Sequence, residues 1–229
     1  MIFVTGDTHG EYNDTVRRFA ENGVGKGDTV IVCGDFGFVG RIGGKHQYYL
    51  KQLAKEEFTI LFVDGNHENF DVLETYPVVD YCGGKAHKVA DNIYHLMRGQ
   101  IFDIEGESYF TFGGAYSIDK YMRKEGRSWW KQELPTKEDY DEAAKNLGKA
   151  GYKVDYVLTH TIPDSMIYRI GKNTDVHDAE LTGYFEWLYR NLEFKKWFAG
   201  HWHVNRCFDD KMYILYDEMY KLINKVQKF

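Results

Sequence analysis

The chain has 229 residues, a formal net charge of -6, 43 % hydrophobic residues and only three prolines. That is enough chain for one large domain with a well-buried core, and the composition excludes a disordered or collagen-like polymer. The mildly acidic balance gives little non-specific pull toward nucleic acid or an anionic membrane. Three scattered cysteines (Cys33, Cys82, Cys207) make neither a disulfide framework nor a thiolate zinc cluster, which fits a reducing compartment.

In chain order, the N-terminus reaches charged Asp7 at once, leaving no room for a signal peptide's apolar core. No later run approaches about eighteen apolar residues, so a cytoplasmic protein without a membrane partner is expected. Ile2 to Thr5, Thr29 to Cys33 and Thr59 to Val63 are brief, β-rich and apolar without alternation, as strands covered on both faces should be. Helices are predicted between them over roughly 13–22, stopped by Asn22-Gly23, and 45–56, with Tyr49, Leu50 and Leu53 on one face. Alternating strands and helices imply a mostly parallel sheet with right-handed crossovers.

The middle changes character. Ile93 to Leu96, Ile101 to Ile104 and Tyr109 to Phe112 read as an antiparallel meander broken at Arg98-Gly99 and Gly106. From Tyr116 to Pro135 no simple period holds, and this basic, aromatic stretch reads as a lid or insertion. Trp129 and Trp130 in it suit a buried plug or a dimer contact better than a base-stacking surface. A helix is expected over 136–149, with Thr136 as N-cap and Glu138 and Asp139 in its first turn. Strands over 154–159 and 196–199 both end at histidines, and a hairpin turns at Asp210-Lys211. Tyr213, Tyr216 and Tyr220 read as packing residues. With no repeat or linker, one domain over 1–229 is the economical reading.

Position carries the functional information. Five predicted strand ends bear metal-ligand chemistry: Asp7 and His9, Asp35, Asn66 and His67, His160, then His201 and His203. Loops that follow parallel strands emerge on one edge of a sheet, so residues far apart in the chain can converge. The remaining histidines, His46, His87, His95 and His177, read as ordinary core or surface residues. Carboxylate, imidazole and amide donors without thiolate suit Mn, Fe, Zn or Ni. Their number exceeds the four donors of a tetrahedral zinc, so two divalent ions sharing a carboxylate account for the set better. Such a pair can clamp phosphoryl oxygens and activate water.

These residues, as Gly6-Asp7-Thr8-His9, Gly34-Asp35, Gly65-Asn66-His67-Glu68, His160 and Gly200-His201-Trp202-His203, resemble the ordered signature of the calcineurin-like metallophosphoesterases. The resemblance implies an α/β fold, a four-layer αββα sandwich of two mixed sheets. It also implies that Asp7, His9 and His203 hold one metal, that Asn66, His160 and His201 hold the second, and that Asp35 bridges them. His67 would then be catalytic, protonating or stabilising the leaving oxygen, with Glu68 in support. The expected activity is hydrolysis of a small, nucleotide-like phosphomonoester or phosphodiester by a metal-activated hydroxide, with manganese the first choice of metal.

Departures from the pattern narrow this. Where the protein Ser/Thr phosphatase branch carries a second aspartate and an arginine, this chain has Phe38 and Val39, and where that branch has an arginine before the Gly-Asn-His-Glu motif it has Asp64. A protein phosphatase is thereby disfavoured. A nuclease is disfavoured by the charge balance, and a non-catalytic scaffold by the complete ligand set. Arg41, in a loop with Gly37, Gly40, Gly43 and Gly44, is a candidate substrate contact, as are Arg123 and Arg127. Substrate identity and oligomeric state are not readable at this level.

Overall fold

The computed structural model describes residues 1–40 and 44–222; Arg41 and Gly43 of the glycine-rich loop lie outside the described residues. The apolar runs become strands because each has two faces to bury. Strand β1 (Ile2–Thr5), helix α1 (Tyr12–Glu21), β2 (Thr29–Cys33), α2 (Lys45–Leu53), β3 (Thr59–Val63) and α3 (Phe70–Leu73) open the chain. They are followed by β4 (Val78–Tyr81), β5 (Gly84–Ala90), β6 (Ile93–Leu96), β7 (Gln100–Ile104) and β8 (Glu107–Phe112). The last part comprises α4 (Lys137–Lys149), β9 (Tyr156–Thr159), α5 (Asp164–Arg169), α6 (Ala179–Asn191), β10 (Lys196–Ala199), β11 (Arg206–Phe208), β12 (Met212–Ile214) and β13 (Met219–Leu222).

Two mixed sheets result, ordered β13-β1-β2-β3-β6-β5-β4 and β11-β12-β10-β9-β8-β7. In the first, β1, β2, β3 and β6 run parallel, with antiparallel β13 and β5 beside them and β4 antiparallel to β5. In the second, β8, β9, β10 and β12 run parallel between antiparallel β7 and β11. Side-chain alternation divides the burial. Ile2, Val4, Ile31, Cys33, Leu61 and Val63 face Phe102, Tyr109, Leu158 and Phe198 between the sheets. Phe3, Val30, Val32, Ile60 and Phe62 face outward onto Phe19, Leu50 and Leu53 of α1 and α2. On the far side Phe110, Phe112, Val157 and Trp197 meet Leu147, Leu181, Phe185 and Leu188 of α4 and α6. The order is helix, sheet, sheet, helix, the αββα sandwich.

The expected meander is corrected: β6 and β7 lie in different sheets. The chain crosses at Arg98-Gly99, with Gly99 at φ 72°, because Phe102 and Ile104 are buried against Ala86 and Leu96 of the opposite sheet. Hairpin β4–β5 escapes pattern reading because β5 mixes Lys85 and Lys88 with buried His87 and small apolar residues. Its turn, Cys82-Gly83, has φ of 46° and 89°, the doubly left-handed geometry usually filled by Asn-Gly. Helix α2 stops at Leu53, short of the expected 56. Helix α4 begins as expected, with Thr136 and Asp139 forming a reciprocal capping box. No helix among the described residues is long and apolar enough to cross a membrane.

Leu61 is fully buried between the sheets. Leu61→Ala is expected to lower unfolding free energy by about 2–5 kcal/mol, read from urea denaturation, whereas Thr136→Ala loses only the cap, about 1 kcal/mol.

Candidate metal centre

Five loops leave the strand ends on one edge of the sandwich and are stitched together by their own backbones. After β1, the amides of Thr8 and His9 donate to the Asp35 carbonyl at 3.2 and 2.8 Å, tying that loop to the one after β2. The His67 amide, after β3, donates to Asp35 Oδ1 at 2.8 Å. The His201 amide, after β10, donates to Asp7 Oδ1 at 2.9 Å, and the Gly200 amide reaches the carbonyl of His160, after β9, at 2.9 Å. This stitching holds His9, Asp35, His201 and His203 at φ of 48, 47, 67 and 50°. Left-handed backbone costs a non-glycine residue on the order of 1 kcal/mol, and the hydrogen bonds offset it. Two glycines admit the close approach: a Cβ at Gly200 would lie 2.2 Å from Asp7 Oδ1, and one at Gly65 2.1 Å from Asp35 Oδ1.

The side chains form two donor groups. Asp7 Oδ2 lies 3.0 Å from His203 Nε2 and 3.5 Å from His9 Nε2, and those two nitrogens are 3.0 Å apart. Though buried, Asp7 Oδ2 accepts no well-directed hydrogen bond. In the second group Asn66 Oδ1 is 3.0 Å from His160 Nε2 and 3.1 Å from His201 Nδ1, with Asp35 Oδ2 3.4 Å from His160 Nε2. The Asn66 amide is oriented by donation from Nδ2 to Ser117 Oγ at 3.0 Å. Asp35 Oδ2 also faces the first group, 3.7 Å from His9 Nδ1. Because Oδ1 is occupied by the His67 amide, only Oδ2 looks toward both.

This donor set fits cations. His160 Nδ1 sits 2.8 Å from the Cys33 carbonyl and must donate to it, so in the neutral ring Nε2 is a bare lone pair facing two acceptors. Only a proton or a metal ion between them relieves that repulsion. With a proton there, burial opposes the charge but Asp35 and Asp7 win, pushing His160 up to about 10. Burial likewise raises both carboxylates, yet the imidazoles prevail, holding Asp35 at about 2 and Asp7 well below the ordinary range. Asp7, His9 and His203, and separately Asp7, Asp35 and His160, are groups that could each hold a metal ion.

His67 is exposed at the mouth, with Arg123 Nη1 2.9 Å from Nδ1 and Nη2 3.3 Å from Nε2. Desolvation from the protein side lowers its pKa; Asp35 pulls upward and Arg123 adds to the lowering. Arg123 itself pairs with Asp119 at 2.7 Å, so it is anchored beside His67 rather than free in the cleft. Glu68 is buried and accepts from the Phe36 amide at 2.6 Å, shaping the Asp35 loop; burial pushes its carboxyl up to about 8. Asp64 forms a buried ion pair with Arg98, and Arg98 also bonds the Gln132 carbonyl at 2.7 Å. That pair links the Asn66 loop to the end of the segment over 116–135.

Several supporting residues carried no signal in the sequence. Arg18 on α1 bonds Thr5 Oγ1, the Asp7 carbonyl and the Tyr216 carbonyl. Tyr216, read as packing, stacks on His203 at 4.5 Å between ring centroids. Arg98 and Ser117 likewise stand on elements with no recognisable pattern. His87 and His95 form a buried pair joined to Asp64, and His177 pairs with Asp175 on the surface. His46 lies on a cavity wall beside Lys45, Arg127 and Trp130. Trp130 is buried against the outer core of the first sheet, while Trp129 carries Lys120 Nζ over its ring at 4.1 Å.

Gly200→Ala drives a methyl into Asp7 and is expected to reduce divalent-cation uptake, measured by elemental analysis after loading. Gly183→Ala, on α6 where a Cβ meets only Asp164 Oδ2 at 4.0 Å, should leave uptake intact. Asp178 is pushed up to about 6 by burial, so the folded state holds a proton that the unfolded chain releases near its ordinary 3.8. Stability therefore falls as pH rises from about 4 to 6. Asp178→Asn, which keeps an acceptor for the Tyr116 amide, should abolish that decline and exceed the wild type by up to about 3 kcal/mol at pH 7.

Comparison with known proteins agrees with this geometry. No curated protein matches the chain. The model of the calcineurin-like phosphoesterases matches residues 1–205, a span that takes in every donor described above. The chain belongs to the calcineurin-like phosphoesterase family.

Proposed function

We propose that this chain hydrolyses a small phosphate ester using two divalent cations, one held by Asp7, His9 and His203 and the other by Asn66, His160 and His201, with Asp35 Oδ2 between them. The observation that carries this reading is the approach of Asp35 Oδ2 to His9 of one donor group and His160 of the other, beside an exposed His67 whose ring lies 5.4 Å from that of His9. The donor chemistry suits manganese, iron, zinc or nickel, and manganese is the first metal to test. Bound ions would supply Lewis-acid charge for the phosphoryl oxygens and make water acidic enough to react near neutral pH.

In the reaction the oxygen of water bonds to phosphorus, the ester P–O bond breaks, and the departing oxygen takes a proton. His67 is the group positioned to supply it. Its imidazole is held toward the neutral form by desolvation and Arg123, but the negative charge of an arriving phosphate favours the imidazolium. That form hands a proton to the leaving oxygen and regains one from the water consumed. Arg123, fixed by Asp119, orients the ring.

A small substrate is favoured over a phosphoprotein. Phe38 and Val39, at the places where the protein phosphatase branch has its charged residues, are buried in the core, and Asp64 is consumed by Arg98. The net charge of -6 speaks against a nuclease.

Purified protein loaded with Mn²⁺ should turn over mono- or bis-nitrophenyl phosphate; metal bound without turnover of either would defeat the reading. His67→Ala should retain both ions yet lose roughly 10²–10⁴-fold in kcat. The loss should be smallest for nitrophenyl leaving groups, which depart without a proton, and an equal loss across leaving groups would remove the acid role.

A further inference from the structure

His67 stands on the divide between two cavities, and they differ in charge. One, of about 450 Å³, reaches the donor cluster at His9 and His67 and is walled by Lys45, Arg127 and Trp130. No carboxylate is among the described residues lining it, and neither Lys45 nor Arg127 has an acidic partner among the described residues. The other, of about 600 Å³, reaches the cluster at Asp35, Asn66, His201 and His203. Its outer wall carries Tyr116, Lys172, Asn173, Thr174, Asp175 and Asp178, so two carboxylates there outnumber one lysine, and the Arg123 it contains is already paired with Asp119.

Resting on the phosphoesterase reading, we infer that the substrate is a small ester with a second phosphate, which binds at Lys45 and Arg127, while an uncharged, hydroxyl-bearing group fills the other cavity. The physical reason is electrostatic sorting. Two unpaired cations without a competing carboxylate attract a phosphate and donate charge-assisted hydrogen bonds to it. The carboxylates opposite repel a phosphate but accept from sugar hydroxyls and base amino groups. A substrate lying across both cavities presents its scissile phosphate beside His67, the residue they share. Arg127, placed among the candidate contacts by sequence alone, thereby gains a ligand group.

The test compares metal-loaded wild type and Lys45→Ala/Arg127→Ala on adenosine 3′,5′-bisphosphate, adenosine 5′-monophosphate, nitrophenyl phosphate and a short single-stranded oligonucleotide. Wild type should prefer the bisphosphate over the monophosphate by about tenfold or more in kcat/KM, the worth of one or two charge-assisted contacts. In the double variant that ratio should collapse toward one, chiefly through KM, and circular dichroism should show the fold retained. Turnover of nitrophenyl phosphate without a bisphosphate preference would overturn this inference and leave the phosphoesterase reading standing. So would an equal fall on both nucleotides, or an oligonucleotide cleaved faster than the bisphosphate, which would assign the second phosphate to a nucleic-acid backbone. No turnover of any ester by metal-loaded protein would overturn both.

Discussion

Everything at the active edge depends on compensating two buried carboxylates. Asp7 and Asp35 are almost wholly removed from water, where an unpaired charge costs several kcal/mol, and what surrounds them is imidazole and backbone amide. Imidazole is the one side chain that can answer such a charge in two ways, as a protonated partner or as a neutral donor beside a metal ion. The fold is thereby committed to cationic charge at this place. His160 shows the point most directly, since its Nδ1 is tied to the Cys33 carbonyl and its Nε2 has only acceptors to face.

The backbone around these groups is shaped to serve them. Left-handed conformations at His9, Asp35, His201 and His203 turn the chain sharply as it leaves each strand, so that side chains from neighbouring loops point at a common centre. Such conformations persist only where the surroundings over-determine them. Here amides of one loop bond carbonyls or carboxylates of another, and glycine removes the Cβ that would otherwise enter a carboxylate. Farther out, the Asp64–Arg98 pair and Glu68 brace the loops from behind. Arg18 braces them from α1.

The segment over 116–135 adds a third layer of control. It is joined to the donor set through Ser117 and Asn66 and to the exposed histidine through Arg123. It is also closed on itself by buried Glu133, which receives Lys120 at 2.7 Å. The same segment contributes Arg127 and Trp130 to one cavity and Arg123 and Asp119 to the other. The segment therefore touches both the donor set and the two cavities, with His67 between them.

How much was legible follows from the range over which each signal acts. Apolar runs such as Thr29–Cys33 and Lys196–Ala199 were read to the residue because burial on both faces leaves an unbroken local pattern. The cap at Thr136 was equally plain, being a contact three residues long. The placing of donors at strand ends was also visible, since parallel strands deliver their loops to one edge whatever the sheet order. What the chain's pattern did not disclose is long-range. The crossing between sheets at Arg98-Gly99 is decided by Phe102 finding Ala86 and Leu96 across the sandwich, and the hairpin β4–β5 hides behind the mixture of lysines, buried His87 and small apolar residues in β5. Arg18, Arg98 and Ser117 act through single contacts with residues distant in sequence, which no periodicity records. The sequence by itself thus determined the donor types and the edge that bears them. Only the tertiary structure decided which oxygen of Asp35 looks both ways, what holds His67, and how charge divides on either side, because those are properties of approach between loops.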